Sequence, residues 1–122
     1  GNIQNMSNEF KYFELSEFDC QEAGKNKMSH PFLHRLDELR ERCGFPFTIT
    51  SGYRSKTHSA EVKKTTVGQH VLGVAADIAV RDGNQKYVLI KHAMEMGFGG
   101  VGVANTFIHI DDRKAVPVVW SY

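Results

Sequence analysis

Two histidine–carboxylate pairs are the residues of this chain best suited to chemistry: His70 with Asp77, and His109 with Asp111. The first pair lies in Gly68-Gln69-His70-Val71-Leu72-Gly73-Val74-Ala75-Ala76-Asp77, a run otherwise almost entirely small or apolar. An imidazole and a carboxylate buried in such surroundings must be paired or ligated, because an isolated buried charge is too costly. The second pair lies in Phe107-Ile108-His109-Ile110-Asp111, whose alternation reads as a strand. Residues i and i+2 of a strand point to one face, so His109 and Asp111 are expected to face one cleft. Two histidines, one carboxylate and a position left for water make a common catalytic zinc set. The plainer alternative is that each of these side chains makes its own structural hydrogen bond.

Elements able to hold these groups can be traced along the chain. Residues Pro31 to Cys43 give the clearest helix, with Phe32, Leu33, Leu36, Leu39 and Cys43 at helical spacing. Pro31 suits its first turn and Gly44 its stop. Phe47-Thr48-Ile49-Thr50 follows as a strand, and a short helix is expected from His58 to Lys64, capped by Ser55 or Thr57. Ile78-Ala79-Val80 reads as a strand that begins at Asp77, and Arg81-Asp82-Gly83-Asn84 as a turn. Gln85 to Met96 gives a second long helix stopped by Gly97, before strands near Gly100–Val103 and Phe107–Ile110. The sum is an α+β layout with a small, largely antiparallel sheet flanked by helices. Strand positions are stiff, as a catalytic metal site requires. Gly73 would let the chain approach a neighbour closely between His70 and Asp77.

Composition narrows the field. With 122 residues, 41% of them hydrophobic and 24% charged, the chain suits one soluble domain with a core of its own. Residues 1–9 are polar and expected to be loosely held, leaving 10–122 as the domain. A net charge of +1 offers no footprint for nucleic acid, and Arg54-Ser55-Lys56 and Lys63-Lys64 read as solvated faces. No apolar run approaches the roughly 20 residues that span a bilayer. The first residues lack the charged-then-apolar pattern of a signal peptide, so export would take another route. Cys20 and Cys43 show no CxxC spacing. Cys43 is expected as a buried thiol, with a Cys20–Cys43 bridge as the alternative. A monomer is expected.

Three blocks resemble one family. Ser51-Gly52-Tyr53-Arg54-Ser55 looks like its SGYRS, Gly68-Gln69-His70 through Asp77 like its SxHxxGxAxD, and Phe107-Ile108-His109-Ile110-Asp111 like its FVHVD strand. The spacing from Val62 to His70 also agrees, as do Tyr12-Phe13 to Phe18-Asp19-Cys20 and the Leu36–Arg40 helix. The chain thus resembles, over most of residues 10–113, the zinc D-Ala-D-Ala carboxypeptidases and related cell-wall peptidases, particularly the compact type common in phages and prophages. The resemblance implies the D-Ala-D-Ala-peptidase and hedgehog type of fold, and zinc held by His70, Asp77 and His109. It implies peptidoglycan stem peptides as the substrate, cut by metal-activated water at the bacterial cell wall. Arg54 matches the family arginine that meets the substrate carboxylate or scissile carbonyl, a task suited to its planar fork. A structural ion pair is the plainer reading of Arg54.

Three departures from the family pattern stand out. Gly68 replaces the serine two residues before the first ligand, and Lys63-Lys64 replace a Gly-Gly. Thr106 occupies the place of the general-base glutamate of ExxH-type relatives. Asp111 is then the nearest carboxylate on the same strand. It is read as the base or as a partner to His109, with direct ligation a third option if the strand shifts by two. His58 is a further candidate for lining the cleft, and Asp112 is expected to point the other way and bind Arg113 or solvent. The enzyme reading stands against a zinc-holding but inactive binding module of the same fold, and against a metal-free interaction protein.

Overall fold

A computed structural model describes residues 9–20, 22, 24, 26–55 and 68–122. Its elements are a 3-10 turn at Leu15–Phe18, α1 His30–Cys43, β1 Ile49–Ser51, β2 Ala75–Ala79, α2 Gly83–Glu95, β3 Gly100–Val103, β4 Phe107–Asp111 and β5 Val118–Ser121. They form an α+β structure, a five-stranded sheet in the order β1-β2-β4-β3-β5 with two helices. Three of its pairings are antiparallel and one, β3 with β5, is parallel. The expected helix at His58–Lys64, with Thr57 as one of its caps, and the Lys63-Lys64 loop lie outside the described residues, as does nearly all of the segment 1–9.

Each helix starts where a side chain caps its free amides. Ser29 accepts from the Phe32 amide at 3.2 Å, so α1 begins at His30, one residue ahead of the expected Pro31. At the other end Gly44 takes the left-handed φ of 76° that closes the helix. Asp82 accepts from the Gln85 amide at 2.9 Å, so α2 begins at Gly83 rather than Gln85. The turn-forming Gly83-Asn84 masked that cap in the sequence. Phe32, Leu33, Leu36 and Leu39 are buried as their spacing requires. Each such side chain contributes about 1.5–3 kcal/mol through lost apolar exposure.

Alternation along the strands separates core from site. Ile78 on β2, Val101 on β3, and Ile108 and Ile110 on β4 are buried in the core, where α1 and α2 pack together and α2 meets β4. Strand β2 starts at Ala75, two residues before the expected Asp77, because the alanines of a central strand need no β propensity of their own. The other face carries a lateral row in register: Ser51, Asp77, His109, Gly102 and Trp120. Laterally paired residues share a face. The row therefore places Asp77, His109 and Trp120 side by side.

Gly73 has the close approach expected of it. Its φ is 77°, its carbonyl accepts from the Ser29 amide at 2.8 Å, and a Cβ there would run into the Lys27 carbonyl. Gly73→Ala is expected to cost at least ~2 kcal/mol, since left-handed backbone alone costs a residue with a Cβ about 1–2 kcal/mol. A urea melt would read this as a lower midpoint.

Cys20 is buried and Cys43 half-buried, and the two are not bridged. Burial pushes the Cys43 thiol up to about 11. The helix histidines are engaged away from the sheet: His30 and His34 both meet Glu9, at 2.9 and 3.0 Å, and His92 meets Glu95 at 3.0 Å.

Candidate metal centre

The three central residues of the Ser51–Ser55 segment each have a structural task. Gly52 lies so close to Phe18 that a Cβ would stand 2.7 Å from its Cα, and its carbonyl meets His70 Nδ1 at 2.7 Å. Tyr53 is buried in the core and donates its amide to the Phe18 carbonyl at 2.8 Å. The Arg54 amide then donates to the His70 carbonyl at 3.2 Å, which ties this segment to the first histidine.

Three side-chain atoms converge on one point. His70 Nε2 lies 3.2 Å from His109 Nδ1, His109 Nδ1 lies 2.9 Å from Asp77 Oδ1, and His70 Nε2 lies 3.3 Å from Asp77 Oδ1. All three residues are only 5–6% exposed. Their outer contacts set which ring nitrogen faces inward. A carbonyl only accepts, so His70 Nδ1 carries the proton that meets Gly52. His109 Nε2 likewise donates to Asp111 Oδ2 at 2.7 Å. Both remaining imidazole nitrogens then turn lone pairs toward the Asp77 carboxylate. Three acceptors this close repel one another unless a cation lies between them. A tetrahedral zinc with arms of about 2.0–2.1 Å has ligand–ligand edges near 3.3 Å, so the triangle fits one face of such a site. A ligating histidine that donates its other N–H to a carbonyl or carboxylate is the usual support for such a ligand.

The local field favours positive charge at this point. Burial opposes ionisation of Asp77, yet His109 and His70, which donate to it when protonated and with no cation between them, outweigh burial and hold the carboxyl down to about 2. Burial also opposes a charged His109, and contacts with Asp111 and Asp77 overcome it to raise the imidazole above its ordinary value.

Asp111 sits behind His109 rather than in front of it. It is fully buried and held by Arg113 through the backbone amide at 3.0 Å, Nε at 2.9 Å and Nη2 at 2.7 Å. Burial pushes its carboxyl upward, but these donors and His109 keep it well below the usual carboxylate range. Gly100 provides the space, since a Cβ there would collide with the Asp111 carboxylate. Asp112 was expected to bind Arg113 or solvent. Instead Arg35 of α1 grips it at 3.0 and 3.1 Å, because alternation turns Asp112 toward the helices and Arg113 toward Asp111.

A cavity of about 430 Å³ opens over the triad. Arg54 stands at its margin with Nη2 at 3.9 Å from Asp77 Oδ2, and Gln69 lines it nearby. Gly68, Arg113, Phe107, Trp120 and Tyr122 complete the lining. The structure thus brings together His70, Asp77, His109 and Arg54, with Asp111 one layer behind; His58 lies outside the described residues. The sequence alone did not point to Arg113, to Trp120 of β5 or to Tyr122 just after it. The Val118-Val119-Trp120 run was the available signal, being rich in strand-forming residues.

The fold and this triad define a metallopeptidase type of centre. The family model described as Peptidase M15 matches residues 8–111, and the chain belongs to that family. Peptidases of this family are zinc-dependent, and the buried His70–Asp77–His109 group is where a metal ion of that kind fits. No curated protein matches the chain. Among the described residues no helix is long and apolar enough to cross a membrane.

Proposed function

We propose that this protein is a zinc peptidase that hydrolyses peptidoglycan stem peptides, at a D-Ala-D-Ala bond or one next to it, as a lysin of phage or prophage type. The observation that carries this reading is the convergence of His70, Asp77 and His109 within 3.3 Å under an open cavity, with Arg54 at its margin. Zinc held by these three residues supplies Lewis acidity to a peptide carbonyl and acidifies water toward neutral pH.

The chain's own groups do the rest. Arg54 offers its fork to a peptide carboxylate or to the oxyanion that develops at the scissile carbonyl. The Gly52 carbonyl and the Asp111 carboxylate fix the two imidazoles by their outer nitrogens. Asp111 is therefore proposed as a positioning residue, and Arg113 as the group that holds Asp111. Asp111→Asn keeps the shape and removes the charge. It is expected to weaken zinc affinity about ten- to a hundredfold, with turnover recovered at saturating zinc. Competition with a chromogenic chelator measures this. Unaltered affinity with two to four decades of lost turnover would make Asp111 the base instead.

Incubating the zinc-loaded protein with purified peptidoglycan should release new amino groups, which a chelator abolishes and added zinc restores. A second reading is a module that holds zinc and binds wall peptides without cutting them. One observation favours it: among the described residues lining the cavity, Asp77 is the only carboxylate, and exposed Thr106 offers a hydroxyl where a base is usual. A zinc-loaded protein that binds peptidoglycan and releases no amine would establish that second reading.

A further inference from the structure

Beyond residue 111, where the family match ends, the chain returns as β5 and brings Trp120 and Tyr122 to the cavity. Trp120 is in register with Gly102, and the missing side chain admits the indole: a Cβ there would lie 2.7 Å from its Cε2. The indole stands 5.1 Å from the His109 ring and 5.0 Å from the Arg113 guanidinium carbon. Tyr122 extends the wall, 6.2 Å from Trp120 and 5.3 Å from Phe107. β5 is one edge of the sheet, and β1, which Arg54 follows, is the other. The cleft therefore has Arg54 on one side of the triad, and on the other an aromatic wall beside Arg113, whose guanidinium is paired with Asp111.

We infer that Trp120 and Tyr122 form a subsite for a small, methyl-bearing residue of the substrate peptide, across the triad from Arg54. This assignment rests on the peptidase reading. A methyl group against an indole face removes apolar surface from water and asks for no polar partner. A carboxylate would meet the negative face of the rings. Nor does Arg113 offset this, since its Nε and Nη2 are engaged by Asp111. Alanyl residues are the chemistry that fits, and an alanine-containing peptide should be preferred over its glycine counterpart.

Trp120 is the only tryptophan of the chain, so its emission reports on the subsite directly. Titrating a free stem peptide ending in alanine into the zinc-loaded protein should shift that emission saturably. The glycine-ended peptide should need a higher concentration. In steady-state assays Trp120→Ala should raise KM for the alanyl peptide roughly three- to tenfold, the scale set by one or two methyl groups leaving an apolar wall. The effect should fall on KM rather than kcat, as for binding shared by ground and transition states. Trp120→Phe should recover most of it. A saturable shift supports the subsite even where no bond is cut, a result that would sink the peptidase reading alone. A flat titration, an unaltered KM in Trp120→Ala, or loss of zinc from that variant would overturn the subsite.

Discussion

His109→Ala is expected to leave the protein unable to take up zinc and without measurable hydrolysis. His109 is the centre of the arrangement: its Nδ1 faces Asp77 at 2.9 Å and His70 at 3.2 Å, and its Nε2 is held by Asp111 at 2.7 Å. Removing it leaves two ligands where a catalytic zinc needs three from the protein. Turnover should fall by at least about three decades, the pattern seen when one member of a unit that acts together is lost. Stability gives an independent readout. Zinc at a hundredfold excess over its Kd should raise wild-type stability by about 2.7 kcal/mol, by mass action on the folded state. The variant should show no such gain in a thermal shift assay. A variant that still melts higher with zinc would place the ion elsewhere.

Arg54→Lys is expected to keep both fold and zinc and to lose about two to three decades in kcat/KM, the scale of removing one oxyanion donor. The Arg54 backbone amide, which ties it to the His70 carbonyl at 3.2 Å, survives the change. What disappears is the planar fork, which a lysine ammonium cannot reproduce. Side-chain Nη2 lies 3.9 Å from Asp77 Oδ2, so the guanidinium is close enough to the triad to meet a ligand placed there. Parallel metal analysis and steady-state kinetics separate the two functions. Undiminished kcat/KM would remove Arg54 from substrate binding, and loss of zinc would make its role structural.

The parts of this site that were legible in the sequence are those where chemistry restricts the residue. A histidine and an aspartate in an apolar run had to be partnered, and alternation put His109 and Asp111 on one face. The role of Asp111 was not legible, because it depends on which nitrogen of His109 it meets, and spacing says nothing about ring orientation. The structure puts it on Nε2, away from the triad's centre. The partner of Asp112 was not legible for a related reason: Arg35 is 77 residues away on α1. The helices and β3 and β4 were readable from local periodicity and caps. β5 was not, because it is a four-residue edge strand whose parallel pairing with β3 is a long-range choice. That choice depends on Gly102 making room for Trp120, a contact no local pattern announces.

A zinc-dependent cut in a wall peptide changes the mass of a muropeptide, which mass spectrometry reads. Purified muropeptides would be incubated with the zinc-loaded protein, with the chelated protein and with His109→Ala. Only the zinc-loaded wild type should shorten the stem peptide, by a terminal alanine or at a neighbouring peptide bond. An identical muropeptide profile in all three samples, from a wild type shown to hold one zinc per chain, would contradict such a cut.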